Sequence, residues 1–145
     1  MQLISVLTAL TGFQLAAALP SAIKGTHGLV ARDGTLGSTL CVGINLDRGT
    51  YCETIDNVHD HLTPGYCVKL DDRLWDQVSS IAPVAGSWCT YFTAEGCVDT
   101  TPNGCGKFDA NSPINDLTTV SPTNANAKCE GNMDKKIRSF LCNYI

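Results

Sequence analysis

The sequence predicts an all-β domain, a sandwich of antiparallel strands stapled by four disulfides, with a small disulfide-rich α+β fold as the alternative. Three observations carry this expectation. Short stretches of β-formers recur between turn residues. Eight cysteines, Cys41, Cys52, Cys67, Cys89, Cys97, Cys105, Cys129 and Cys142, all lie in the part of the chain that carries those stretches. Two segments of that part also resemble each other, which points to one domain made of two similar halves.

Residues 1–18 have no charged side chain, run apolar through Leu3, Ile4, Val6, Leu7, Leu10, Phe13 and Leu15, and close on Ala16-Ala17-Ala18. That is the pattern of a secretory signal peptide. Residues 19–37 hold no cysteine and read as a flexible tail or a pro-segment, with Arg32 ahead of Asp33-Gly34 as the candidate processing site. Loss of Lys24 and Arg32 would take the net charge from −4 to −6. Residues 38–145 then form a single disulfide-stapled domain.

Within it, residues 40–44, 50–55, 66–70 and 87–93 read as strands. Tyr66-Cys67-Val68-Lys69-Leu70 alternates after Pro64-Gly65, and the last stretch brings Trp88, Tyr91 and Phe92 after Ala85-Gly86. Residues 71–81 and 133–141 place Leu74, Val78 and Ile81, and Met133, Ile137 and Phe140, at helical spacing. Each spans only about ten residues, so a turn followed by a strand competes equally with a helix. Residues 100–127, dense in Pro, Asn and Gly, read as a long surface loop tied down at Cys105 and Cys129.

An even number of cysteines behind a signal peptide reads as four disulfides and a secreted, extracellular protein. The connectivity stays open. Neither CxxC nor a Cys-Cys doublet occurs, which removes the usual zinc spacing and the hydrophobin pattern. Ten basic against fourteen acidic residues argue against a nucleic-acid partner held by a positive field. Beyond the N-terminus no apolar run reaches the roughly 18 residues of a membrane span. No Asn-x-Ser/Thr sequon occurs, so N-glycosylation is not expected.

Aligning Ser80 with Ser139 pairs Val78 with Ile137 and Ile81 with Phe140. Each half also opens on a cysteine or aromatic strand and a glycine turn, Cys41-Val42-Gly43-Ile44-Asn45-Leu46-Asp47-Arg48-Gly49 and Phe92-Thr93-Ala94-Glu95-Gly96-Cys97. In these residues the chain resembles the βγ-crystallin fold, in particular small secreted cysteine-rich proteins of filamentous fungi. The family motif is an aromatic, four residues, an aromatic, one residue and a glycine, followed later by Asn/Asp-Asn/Asp-x-x-Ser/Thr-Ser. Trp75-Asp76-Gln77-Val78-Ser79-Ser80 matches the second element except at Trp75, whereas Asp134-Lys135-Lys136-Ile137-Arg138-Ser139 keeps its first and last positions. In the first element, Cys41 and Leu46 stand at the aromatic positions and Gly49 comes one residue late. In the second half Phe92 fits, Cys97 replaces the second aromatic and Asp99 stands where glycine belongs. The resemblance implies two Greek-key motifs in one sandwich.

No cofactor is expected; calcium is the one metal the resemblance brings in, as the lesser alternative, with Asp76 and Ser79 as its candidate ligands, helped by the hairpin loop of the other half. A capped turn with a serine packing the hairpin is the preferred reading of these residues. Lys135, Lys136 and Arg138 put positive charge where the second copy would bind a cation, which opposes it. Elsewhere, Asp56-Asn57-Val58-His59-Asp60-His61 is the sharpest catalytic cluster, yet its polarity and the following Pro64-Gly65 read as an exposed loop. Asp71, Asp72 and Asp76 read as a capped, solvated face rather than paired glycosidase carboxylates, and no Gly-x-Ser-x-Gly elbow is present. No catalytic residue is assigned. The expectation is a monomeric, non-enzymatic effector or elicitor that meets a host extracellular protein or surface component, in virulence or in modulating cell death and immunity. A toxin, antimicrobial protein or protease inhibitor, and a small hydrolase or ribonuclease using His59 or His61, are the alternatives.

Overall fold

The computed structural model describes residues 34–123 and 129–145. The signal peptide and the Arg32 processing site lie outside these residues. Folding takes hold ahead of Ser38: Leu36 is fully buried and its N–H donates to Asn57 Oδ1 at 2.7 Å. The first strand opens at Gly37, a residue assigned above to the tail.

Seven strands follow: β1 (Gly37–Cys41), β2 (Cys52–Asp56), β3 (Cys67–Lys69), β4 (Ser80–Pro83), β5 (Ser87–Phe92), β6 (Lys107–Ala110) and β7 (Ser139–Tyr144). Among the described residues, helix is confined to three single 3-10 turns. The strands make two antiparallel sheets, ordered β2-β1-β4 and β3-β7-β5-β6. β3 follows β2 in the chain yet pairs with β7, Val68 opposite Phe140. Conversely Ile114, from the second half, bridges Ile81 of β4. Each half therefore lends an extended segment to the other's sheet.

Both helix-spaced segments resolve into a turn and a strand. Asp71 starts one turn, its carbonyl accepting from Trp75 N at 2.8 Å, and Asp76 ends it at φ 51°. Lys135 stands at the same φ ahead of β7. Leu74, Val78, Ile81, Met133, Ile137 and Phe140 are all buried, so their spacing records burial by a turn and strand together rather than helical periodicity. The expected loop at 100–127 is corrected in part: it contains β6, with Phe108 and Ala110 inward and Asp109 outward, and it buries Leu117. One large apolar side chain in a four-residue strand leaves too weak an alternation to stand out among prolines and asparagines.

The core fills the space between the sheets. Tyr91 stacks between Phe108 and Phe140, with ring centroids 5.0 and 5.8 Å away, and its hydroxyl meets Ser38 Oγ of the opposite sheet at 2.6 Å. Burial pushes the Tyr91 phenol pKa well up, so the group stays neutral. All eight cysteines are paired: Cys41–Cys52, Cys67–Cys97, Cys89–Cys142 and Cys105–Cys129. Cys41 and Cys52 face each other across β1 and β2, as Cys89 and Cys142 do across β5 and β7. Only Cys67–Cys97 crosses between halves, and it does so where β3 joins the second sheet.

Candidate functional site

The two segments aligned in the sequence meet in space through matching hydrogen bonds. Ser80 Oγ donates to Gly43 O at 2.6 Å and accepts from Leu46 N at 3.1 Å. Ser139 Oγ donates to Ala94 O at 2.7 Å and accepts from Cys97 N at 3.0 Å. Both serines are fully buried, and both hairpins turn back through a left-handed pair, Asn45 and Leu46 in one and Gly96 and Cys97 in the other. The flanking backbone repeats the match: Ser79 N donates to Cys41 O and Arg138 N to Phe92 O, at 2.8 and 2.9 Å. Asp76 N donates to Ile137 O, and Lys135 N donates to Val78 O. By this frame Ser79 corresponds to Arg138, and Asp76 to Lys135.

The side chains at these positions differ. Arg138 reaches Asp76 through Nε, 3.0 and 3.1 Å from the two carboxylate oxygens, and through Nη2, 2.9 Å from Oδ2. Both oxygens are engaged, and hydrogen bonding to Asp76 raises the pKa of the guanidinium. The same guanidinium lies 5.2 Å from the ring of Trp75, and Lys69 Nζ lies 5.2 Å from that ring as well. Lys69 is in turn paired with Glu95 at 2.8 Å. A polar chain thus runs Glu95, Lys69, Trp75, Arg138, Asp76 across the seam between the halves. Clefts flank it: one of about 270 Å³ lined by Lys69, Asp72, Trp75 and Glu95, and one of about 360 Å³ that includes Asp76, Glu130, Lys135, Lys136 and Arg138.

The two expected metal ligands divide between different partners. Asp76 faces Arg138, while Ser79 is buried with its backbone bonded to Cys41 and Leu117. Among the described residues no group of three or more His, Cys, Asp or Glu side chains is arranged to hold a metal ion. His59 and His61 lie in the turn between β2 and β3. His59 Nδ1 is 2.9 Å from Asp56 Oδ1, but that oxygen also accepts from Val58 N and His59 N. Asp56 therefore closes the turn, and the His59 backbone N–H leads the contacts that hold its carboxyl below the usual range. Asp71 is tied up by Arg73 Nε and Nη2 at 3.0 and 2.8 Å, its pKa lowered by that pairing, and so faces a different arginine from Asp76.

Sequence reasoning placed Arg138 as an opposing charge and missed its pairing with Asp76 and Trp75. The signal was present in the alignment of Ser80 with Ser139, which sets Arg138 in the place of Ser79. It also missed Arg73 lying 4.6 Å from the Tyr51 ring, beside a Tyr51–Glu53 hydrogen bond of 2.7 Å that raises the Tyr51 pKa. Tyr51 and Arg73 lie on segments that only the folded chain brings together, so no local spacing marks them.

No protein-family model, curated protein or solved structure matches the chain. No helix of the described residues is long and apolar enough to cross a membrane.

Proposed function

We propose that this is a secreted, non-enzymatic effector of βγ-crystallin-like architecture that binds a host extracellular protein or surface component through the seam around Trp75. The architecture is supported by the paired Ser80 and Ser139 hairpin locks and by the exchange of extended segments between the sheets. Four disulfides suit an oxidising compartment and a surface that must keep its shape outside the cell. The observation that carries the binding reading is half-buried Trp75, with Lys69 and Arg138 each 5.2 Å from its ring and a cleft of about 270 Å³ that it lines with Lys69, Asp72 and Glu95. An aromatic in a pre-set orientation loses little entropy on contact, which is why such residues anchor interfaces.

The test is infiltration of the purified protein into leaf tissue beside Trp75→Ala. A host response from the wild type that is strongly reduced in a folded Trp75→Ala supports the reading, and no response from the wild type refutes it. A hydrolase is the second reading, favoured by the exposed His59 ring resting on Asp56. A response lost in His59→Ala/His61→Ala but kept in Trp75→Ala selects it.

A further inference from the structure

We propose that the cleft lined by Lys135, Lys136 and Arg138 binds a small tetrahedral oxyanion, the phosphate or sulfate group of a monoester. The site is separate from the Trp75 cleft and independent of host contact, so its failure leaves the role of Trp75 untouched.

The charge balance of this cleft runs against that of the protein. It has a volume of about 360 Å³ and is lined by three cations, Lys135, Lys136 and Arg138, and two carboxylates, Asp76 and Glu130. Asp76 is already committed, with both oxygens engaged by Nε and Nη2 of Arg138. Among the described residues neither lysine has a carboxylate within ion-pair distance. Two unpaired lysines therefore face one exposed glutamate, a local positive excess on a chain of net charge −4.

The backbone of Lys135 gives a second, independent reason. Lys135 and Asp76 hold equivalent places in the hydrogen-bond frame, each with φ 51°. That left-handed region suits Gly, Asn and Asp, whereas a lysine enters it at a cost. One half keeps a residue its backbone favours, and the other carries a cation its backbone disfavours. Lys135 is exposed, so packing does not repay that cost, but a ligand held in the cleft it lines would.

The donors on offer select the class of anion. Lys136 Nζ gives one hydrogen bond to Asn132 O at 2.8 Å and keeps its other protons free. Nη1 of Arg138, the Thr93 hydroxyl and the Asn132 side-chain amide have no partner among the described residues, and all three residues line the cleft. These donors exceed what the two oxygens of a carboxylate accept and suit the three oxygens and higher charge of a phosphate or sulfate monoester. The cleft also has room for the group that carries the ester.

The test uses the full secreted protein with disulfides intact. It is titrated at neutral pH with sodium phosphate, sodium sulfate and sodium acetate, each against sodium chloride of equal ionic strength, while backbone amide shifts are followed by NMR. Phosphate and sulfate are expected to give saturable shifts at Thr93, Asn132, Lys135, Lys136 and Arg138, and the tighter of the two names the ester. Acetate, with less charge, is expected to bind about fivefold more weakly. Lys135→Gly removes a cation and relieves the backbone, so it should fold as well as wild type and bind about fivefold more weakly. Lys135→Gly/Lys136→Gln should weaken binding about 25-fold, and Glu130→Gln should tighten it about fivefold. Shifts that do not saturate beyond the chloride blank overturn the proposal, as does acetate binding as tightly as phosphate and sulfate, or a folded double variant that binds like wild type. If the double variant does not fold, opposite changes in Lys135→Gly and Glu130→Gln support the site, and unchanged binding in both overturns it.

Discussion

Removing the hydroxyl that locks each hairpin tests whether the two halves are energetically equivalent as well as similar in shape. Ser139→Ala deletes a hydrogen bond of 2.7 Å to Ala94 O and one of 3.0 Å from Cys97 N, and Ser80→Ala deletes bonds of 2.6 and 3.1 Å to Gly43 O and from Leu46 N. Each net hydrogen bond is worth about 1 kcal/mol, and partners left behind with restricted access to water add to the loss. Leu46 and Cys97 sit at φ 52° and 54°, a region that L-residues enter at a cost and hold here through these bonds. The expected cost is about 2–3 kcal/mol for each serine, which at about 4 °C per kcal/mol for a domain of this size lowers the melting temperature by about 8–12 °C. Urea unfolding followed by tryptophan fluorescence, with disulfides intact, measures it. Ser112→Ala, at an exposed position, is the control and should stay within about 0.5 kcal/mol. If either serine costs no more than the control, the hydroxyl does not lock its hairpin. If the two costs differ by more than about 1.5 kcal/mol, the halves are equivalent in geometry and not in energetics.

Gly37→Ala would drive a methyl into the Ile55 carbonyl oxygen and to 2.7 Å from Asp56 Cα, both backbone atoms of the paired strand, and should cost about 3 kcal/mol in the same urea assay. Tyr91→Phe removes the partner that Ser38 Oγ holds at 2.6 Å across the core, for an expected loss of about 1–2 kcal/mol by thermal melting. Asp56 has a folded pKa below its ordinary 3.8, so the stability it contributes is present above that value and lost as pH falls through the folded one. The wild-type urea midpoint should therefore drop between about pH 5 and 2, and Asp56→Asn should start lower at pH 7 and drop less over that window.

Strand content was legible where alternation was strong. β5 alternates buried Ser87, Cys89 and Tyr91 with outward Trp88 and half-buried Thr90, and the sequence reading placed it within one residue at its end. β6 was not legible, because Phe108 is its single large apolar side chain and its neighbours are turn residues. The helical spacing of Leu74, Val78 and Ile81 was real but its cause was different. A turn closed by Asp71 and Asp76 brings Leu74 and Val78 onto the core, and the strand that follows adds Ile81. Periodicity over so short a window measures which side chains are buried and says little about the backbone that buries them.

The seam explains why the repeat was faint in the sequence and plain in the structure. What the halves share is a hydrogen-bond frame, and most of it is backbone: Ser79 N to Cys41 O against Arg138 N to Phe92 O, and Asp76 N to Ile137 O against Lys135 N to Val78 O. Backbone bonds place no demand on the side chain, so Ser79 and Arg138, or Asp76 and Lys135, occupy equivalent positions with opposite chemistry. Ser80 and Ser139 are different because their hydroxyls enter the frame themselves, closing a hairpin with one donor and one acceptor bond. An alanine keeps the strand and loses the lock. It follows that the serine is the position at which the two halves must agree, and the pair beside it is where they are free to diverge. The Asp76–Arg138 contact is one outcome of that freedom, visible only once the frame shows which residues correspond.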